Sequence, residues 1–174
     1  IAPTATIGAI VGSYECVEPQ VSNLFKRETL SGEFLQINRY LVRDLQARAL
    51  WTPDVRAQLI ASEGSVQEIP GIPDDLKALY KTAWEISQKV LIDMASERSA
   101  FICQSQSLNL FQEEPTLGKL SSMYMYAWKR GLKSTYYLRS RAKTRIRKTT
   151  VEPRLGEQAI ACSLENPESC EACQ

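Results

Sequence analysis

Five cysteines, two adjacent tyrosines and a hydroxyl-rich opening carry the chemistry open to this 174-residue chain, which has no histidine. Without imidazole the commonest acid–base catalyst and metal ligand is missing, so Ser-His-Asp and Cys-His hydrolysis within this chain are excluded. Cys170 and Cys173 form a C-x-x-C one residue from the end. Such spacing lets two sulfurs close a small disulfide ring and can lower one thiol's pKa, making thiolate available for exchange. The same pair with Cys162 offers three thiolates to zinc, one fewer than a closed tetrahedral site requires. An inert, reduced pair is the third reading.

Tyr136 and Tyr137 are neighbours. In a regular strand they would point to opposite faces, one ring in the core and one at the surface. A functional pair needs both rings together, which requires a local departure from strand geometry. Phenols in contact can pass an electron and a proton between them. At the other end, Pro3, Thr4, Ala5, Thr6 and Ile7 stand at a predicted helix start, with Thr4 or Thr6 as its cap. Free N–H groups and the positive end of the helix dipole favour an anion such as phosphate there, although an ordinary N-cap needs the same residues.

Several elements must position these groups. Glu18-Pro19-Gln20 breaks the opening helix. Leu41, Val42, Leu45 and Ala49 follow helical spacing, and Trp51-Thr52-Pro53-Asp54 stops that helix and caps a short one through Leu59 and Ile60. Residues 63–75 hold two glycines and two prolines and read as a loop. From Asp74-Asp75 a long helix is predicted to about Arg98, its inner face being Leu76, Leu79, Tyr80, Ala83, Trp84, Val90, Leu91 and Met94. Residues 100–111 read as a strand whose polar part, Gln104 to Asn109, lines a cavity or faces water. A helix follows from about Leu117 to Lys133, with Leu120, Met123, Ala127, Trp128 and Leu132 inward. Thr135 to Leu138 reads as a short strand.

The composition is that of a globular chain, 44% hydrophobic and 24% charged, with no apolar run long enough to span a bilayer. Net charge is +1 overall but patterned in blocks: −1 over residues 1–138, +6 over 139–148 and −4 over 149–174. The basic run lacks interleaved aromatic residues, so a solvated linker is expected in preference to a nucleic-acid site. The chain opens on Ile1 in mid-pattern, which reads as the later part of a longer polypeptide.

Together these segments resemble the C-terminal quarter or so of the large catalytic subunit of class I ribonucleotide reductase. The resemblance rests on APTAT (2–6), VEPQ (17–20), SGEF (31–34), SVQEIPGIPDDLKALYKTAWEISQK (65–89), FICQSQSLNL (101–110), KLSSMYMYAWKRGLKSTYYLRSR (119–141) and CSLENPESCEAC (162–173). It implies an α/β fold: residues 1–141 as the C-terminal part of a ten-stranded α/β barrel, and 142–174 as a flexible redox-active tail. The implied activity is reduction of ribonucleoside diphosphates to 2′-deoxyribonucleoside diphosphates by radical chemistry. In such an enzyme a thiyl radical takes the 3′ hydrogen and a cysteine pair supplies the reducing equivalents.

By the same resemblance, Pro3 to Ile7 match the substrate-diphosphate loop. Tyr136 and Tyr137 match stacked tyrosines that relay the radical from a small, di-iron subunit. Cys170 and Cys173 match tail cysteines that re-reduce the active site and are themselves reduced by thioredoxin or glutaredoxin. Cys16 and Cys103 read as small core residues. The thiyl cysteine, the reducing pair and the ATP/dNTP effector sites lie upstream in the family, so this chain is expected to bind no cofactor and to be inactive alone. Expected partners are the nucleotide substrate, the small subunit and the disulfide reductant, in the cytoplasm, with no metal, nucleic acid or membrane. The competing reading is a non-enzymatic adaptor whose cysteine-rich tail is a redox or zinc-binding handle.

Overall fold

Side-chain caps set three of the helix starts. Asn38 accepts the N–H groups of Tyr40 and Leu41, Thr52 accepts that of Val55 with Pro53 at the first helical position, and Thr116 accepts that of Lys119. The computed structural model describes residues 1–29 and 32–141. Its elements in chain order are α1 (Ala5–Val11), β1 (Leu24–Thr29), β2 (Gly32–Ile37), α2 (Arg39–Ala47), α3 (Pro53–Ala61), α4 (Asp74–Leu79) and α5 (Gln88–Arg98). A single 3-10 turn (Ser99–Phe101), β3 (Leu110–Gln112), α6 (Leu117–Lys129) and β4 (Leu138–Ser140) complete them. The fold is mixed α/β.

The described residues fall into two compact units. One comprises Gln20–Thr82. Here β1 and β2 form an antiparallel hairpin, with Leu24 opposite Ile37 and Thr29 opposite Gly32. Helices α2, α3 and α4 bury Leu41, Leu45, Leu59 and Leu76 with Val66 and Ile69 from the intervening loop. Each fully buried Leu adds roughly 2 kcal/mol relative to exposure. Tyr80 closes this core with its hydroxyl on Asp44 Oδ2 at 2.5 Å.

The other unit comprises Ile1–Pro19 and the described residues from Ala83 onward. Its core packs α5 against α6, with Ile92, Ala95, Leu108, Leu110, Met123 and Ala127 buried together. Trp84 meets Phe111 edge to face at 5.5 Å. Strands β3 and β4 pair in parallel, Leu110 opposite Leu138.

The long helix expected over 74–98 is two helices, α4 and α5, one in each unit. Side-chain hydrogen bonds to the backbone, one from a distant residue and two local, take up carbonyls at the break. Asn23 Nδ2 donates to the Tyr80 carbonyl, and Gln88 Nε2 donates to the carbonyls of Ala83 and Ile86, so these acceptors serve side chains. Leu79, Val90 and Met94, expected inward, are about half or more exposed. Helix α2 ends at Ala47, and Ala49 is exposed with φ of 55°. Helix α6 stops at Lys129, four residues early, and leaves Trp128 exposed instead of buried. The strand expected at 100–111 narrows to β3, because Ser99–Phe101 turn and Phe101 projects outward. The hairpin β1–β2 was not foreseen. No described helix is long and apolar enough to cross a membrane.

Candidate functional site

The segment 105–110 organises the site through its two backbone edges. Ser105 O accepts from the Ile1 amino group at 2.8 Å, and Ser107 N–H donates to Ile1 O at 2.9 Å. On the opposite edge Ser134 Oγ donates to Gln106 O at 2.9 Å, Tyr136 N–H donates to Leu108 O at 2.7 Å, and Leu110 N–H donates to Tyr137 O at 2.9 Å. Successive residues of extended backbone address opposite edges, so one segment ties the start of the chain to the tyrosine pair. Two interstrand spacings, about 10 Å, separate those flanking backbones.

Tyr136 and Tyr137 do stand together. Their ring centroids are 4.0 Å apart with planes tilted by 52°, and the Tyr136 hydroxyl donates to the Tyr137 hydroxyl at 3.1 Å. The expected strand begins only at Leu138, so the pair lies just before β4. Two ladder bonds explain the departure: Leu108 O is met by Tyr136 but Leu110 N–H by Tyr137, so two residues face the single residue Asn109. That is the count of a β-bulge, which re-aims side chains. Donating its proton to Tyr137 holds the Tyr136 phenol above its ordinary pKa, against the opposing charge of Arg139. The Arg139 guanidinium lies 5.0 Å from the Tyr137 ring centroid. Both rings are about half exposed.

The opening turn is also formed. Thr4 occupies the N-cap position of α1 but makes no side-chain cap; its hydroxyl donates instead to Glu15 O at 2.8 Å. Thr6 lies within the helix and is exposed, as are Pro3, Ala5 and Ile7. The N–H groups of a helix's first turn have no intrahelical acceptor. Gly8, packed within 3.0 Å of Glu15 at the place a Cβ would occupy, allows the following loop to fold back over the helix.

Residues 1–138 match the family described as ribonucleotide reductase, barrel domain. The chain belongs to that family. It is 52% identical to the ribonucleoside-diphosphate reductase large subunit of Dictyostelium discoideum, over 87% of this chain and 18% of that protein. To the large chain of Schizosaccharomyces pombe it is 42% identical, over 98% and 26% respectively. Among solved structures, the class Id ribonucleotide reductase alpha subunit of Actinobacillus ureae superposes with a TM-score of 0.70 at 33% identity, covering 82% of this chain and 26% of that one. The chain thus spans about a fifth to a quarter of the length of these relatives.

Cys162, Cys170 and Cys173 lie outside the described residues, as does the proposed tail 142–174. Of the two cysteines expected in the core, Cys103 is exposed and Cys16 half-buried. Burial first, and the Glu18 carboxylate second, push the Cys16 thiol up to about 11. Two residues near the tyrosines went unassigned in the sequence. Glu18 registered only as part of a helix break and Asn109 only as one polar residue among several. Both are buried, and Glu18 Oε1 accepts the Asn109 N–H at 2.7 Å. Their sequence separation of 91 residues leaves no local signal.

Proposed function

We propose that this chain is the portion of a ribonucleoside-diphosphate reductase large subunit that carries the last step of the radical path, one wall of the substrate site and the reductant shuttle. The observation that carries the reading is the Tyr136–Tyr137 pair, two phenol oxygens 3.1 Å apart within a chain of this family. At that distance a tyrosyl radical on one oxygen takes the hydrogen of the other phenol. One O–H bond forms as the other breaks; electron and proton pass together to the first oxygen, and the radical site moves in the opposite direction. With its phenol held protonated, Tyr136 gives up electron and proton together.

The Pro3–Ile7 turn is proposed to take the substrate diphosphate, supported by its place at the start of α1 and by the segment that links Ile1 to the tyrosines. Residues 1–141 would form the end of the catalytic barrel. Cys170 and Cys173 are proposed to return reducing equivalents from thioredoxin or glutaredoxin, in the cytoplasm, where thiols are kept reduced. The partners proposed are the nucleotide substrate and a small subunit that supplies the radical from its own di-iron centre. Thiyl chemistry and ATP/dNTP control are assigned to residues upstream of this chain. Nothing in the relatives above favours the adaptor reading.

The test uses the full-length large subunit carrying this sequence, assayed with its small subunit. Tyr136→Phe and Tyr137→Phe each keep the ring and lose the phenolic hydrogen. Turnover is expected to vanish in both while binding of the nucleoside diphosphate stays within about twofold, since the packing is preserved. Wild-type turnover in either variant overturns the relay.

A further inference from the structure

A two-against-one count in a ladder leaves one N–H without a backbone acceptor. In this site it is the N–H of Tyr137, and the Asn109 side chain takes it: Oδ1 accepts that N–H at 3.3 Å. Asn109 is itself fixed from behind. Its backbone N–H donates to Glu18 Oε1 at 2.7 Å, and its Nδ2 reaches Cys16 Sγ at 3.8 Å. Asn109 is 8% exposed and Glu18 5%, and the bond between them is buried, so water does not compete freely for it.

From this geometry we infer that Asn109, clamped by Glu18, is a positioning residue for the tyrosine pair: its amide holds the extra residue in the ladder and so keeps both phenols on one side. The inference rests on the relay reading given above. Remove the acceptor, and the Tyr137 N–H, part-buried, faces a group that cannot satisfy it. The chain then relaxes by restoring a one-to-one ladder, and a one-residue change of register sends neighbouring side chains to opposite faces. The phenol oxygens separate, and hydrogen transfer between them slows.

The experiment compares Asn109→Leu, of similar volume but with no acceptor, and Asn109→Asp, which keeps an oxygen where Oδ1 stands. Both are made in the full-length large subunit and assayed with the small subunit, beside Tyr136→Phe. Asn109→Leu is expected to lower kcat by roughly 10- to 100-fold, the scale of an ångström-sized misplacement, with the KM for the nucleoside diphosphate within about twofold of wild type. Asn109→Asp is expected to recover most of the lost kcat. An undiminished kcat in Asn109→Leu, or an Asp variant as slow as the Leu variant, overturns the positioning role. Should the Leu variant not accumulate as folded protein, Asn109→Ser, whose hydroxyl is too short to reach, takes its place with the same two criteria. The two readings fail separately. Full turnover in Tyr136→Phe removes the relay itself, whereas loss there with full turnover in Asn109→Leu removes only the clamp.

Discussion

The neighbourhood of the tyrosines favours the protonated forms of its titratable groups. Tyr136 is held up by its bond to Tyr137, and Tyr14, whose hydroxyl donates to Pro19 O at 3.2 Å, is raised chiefly by burial. Cys16 shares this environment, pushed to about 11 by burial and the Glu18 charge while Arg139 opposes weakly. An unperturbed thiol near 8.5 is almost wholly ionised by about pH 10, so its alkylation rate levels off there. Cys16 is expected to behave differently: its rate of modification by iodoacetamide, read by mass spectrometry of the Cys16 peptide, continues to climb between about pH 9 and pH 11. A plateau by pH 9.5 contradicts the assignment. The linkage has a definite sign. Because the folded pKa is raised, stability is intact below the unfolded value and declines as pH climbs towards about 11, the unfolded chain releasing its proton first. Cys16→Ser removes that part of the alkaline loss.

Backbone conformation at one loop shows how elements are fixed by close approach. Gly64 has φ of 88°, and a Cβ built there falls 2.0 Å from Ser22 Oγ and 2.6 Å from Leu24 N. Its carbonyl takes Asn23 Nδ2 at 2.9 Å, so the loop cannot retreat without breaking a buried bond. Gly71, with φ of 79°, faces open space. Ala at position 71 incurs only the left-handed backbone penalty of about 1–2 kcal/mol, whereas Ala at position 64 adds a steric clash with backbone. Gly64→Ala is therefore expected to lower the thermal midpoint of the full-length chain by clearly more than Gly71→Ala; equal shifts refute the close-approach account. Features of this local kind were legible in the sequence: the Thr52-Pro53 start of α3, the glycine–proline loop, the apolar spacing of α2. What was not legible is what distant partners impose. The spacing from Leu76 to Met94 is compatible with one helix and contains no glycine or proline near the true break; the Tyr80 carbonyl there goes to the distant Asn23, while Gln88, from within the segment, takes that of Ala83. The hairpin β1–β2 has apolar pairs at Leu24-Phe25 and Phe34-Leu35, with no clean alternation to announce it. The pairing of the two tyrosines follows from the resemblance, whereas spacing alone favours opposite faces; in the structure the rings meet at a tilt of 52°. The bulge opposite Asn109 reconciles the two.

At the scale of the whole molecule, the proposed reductase would oxidise two of its own thiols in each turnover and would have to regain them from outside, since a buried site excludes a protein reductant. A dithiol near the end of the chain solves this if it can visit both the site and the surface. We propose that role for Cys170 and Cys173 on the C-x-x-C spacing and the family resemblance; a connection of the length of residues 142–169 would, if it behaves as a flexible chain, have a root-mean-square reach on the order of 30 Å. The basic block at 139–148 followed by a net acidic end has the charge segregation of a solvated segment, not of a core. In the full-length large subunit, Cys170→Ser or Cys173→Ser is accordingly expected to permit one round of reduction from the pre-reduced state and then stop when thioredoxin is the reductant. Dithiothreitol, small enough to enter the site, restores continuous turnover in both variants because it bypasses the shuttle. Two outcomes are fatal to the role: continued turnover of the serine variants with thioredoxin, or failure of the small dithiol to rescue them. The second would place the two cysteines in the fold or in the chemistry itself. Since both substitutions leave the tyrosines themselves unchanged, the first round is expected to proceed at the wild-type rate, and that rate separates a defect in reductant delivery from one in the proposed radical transfer.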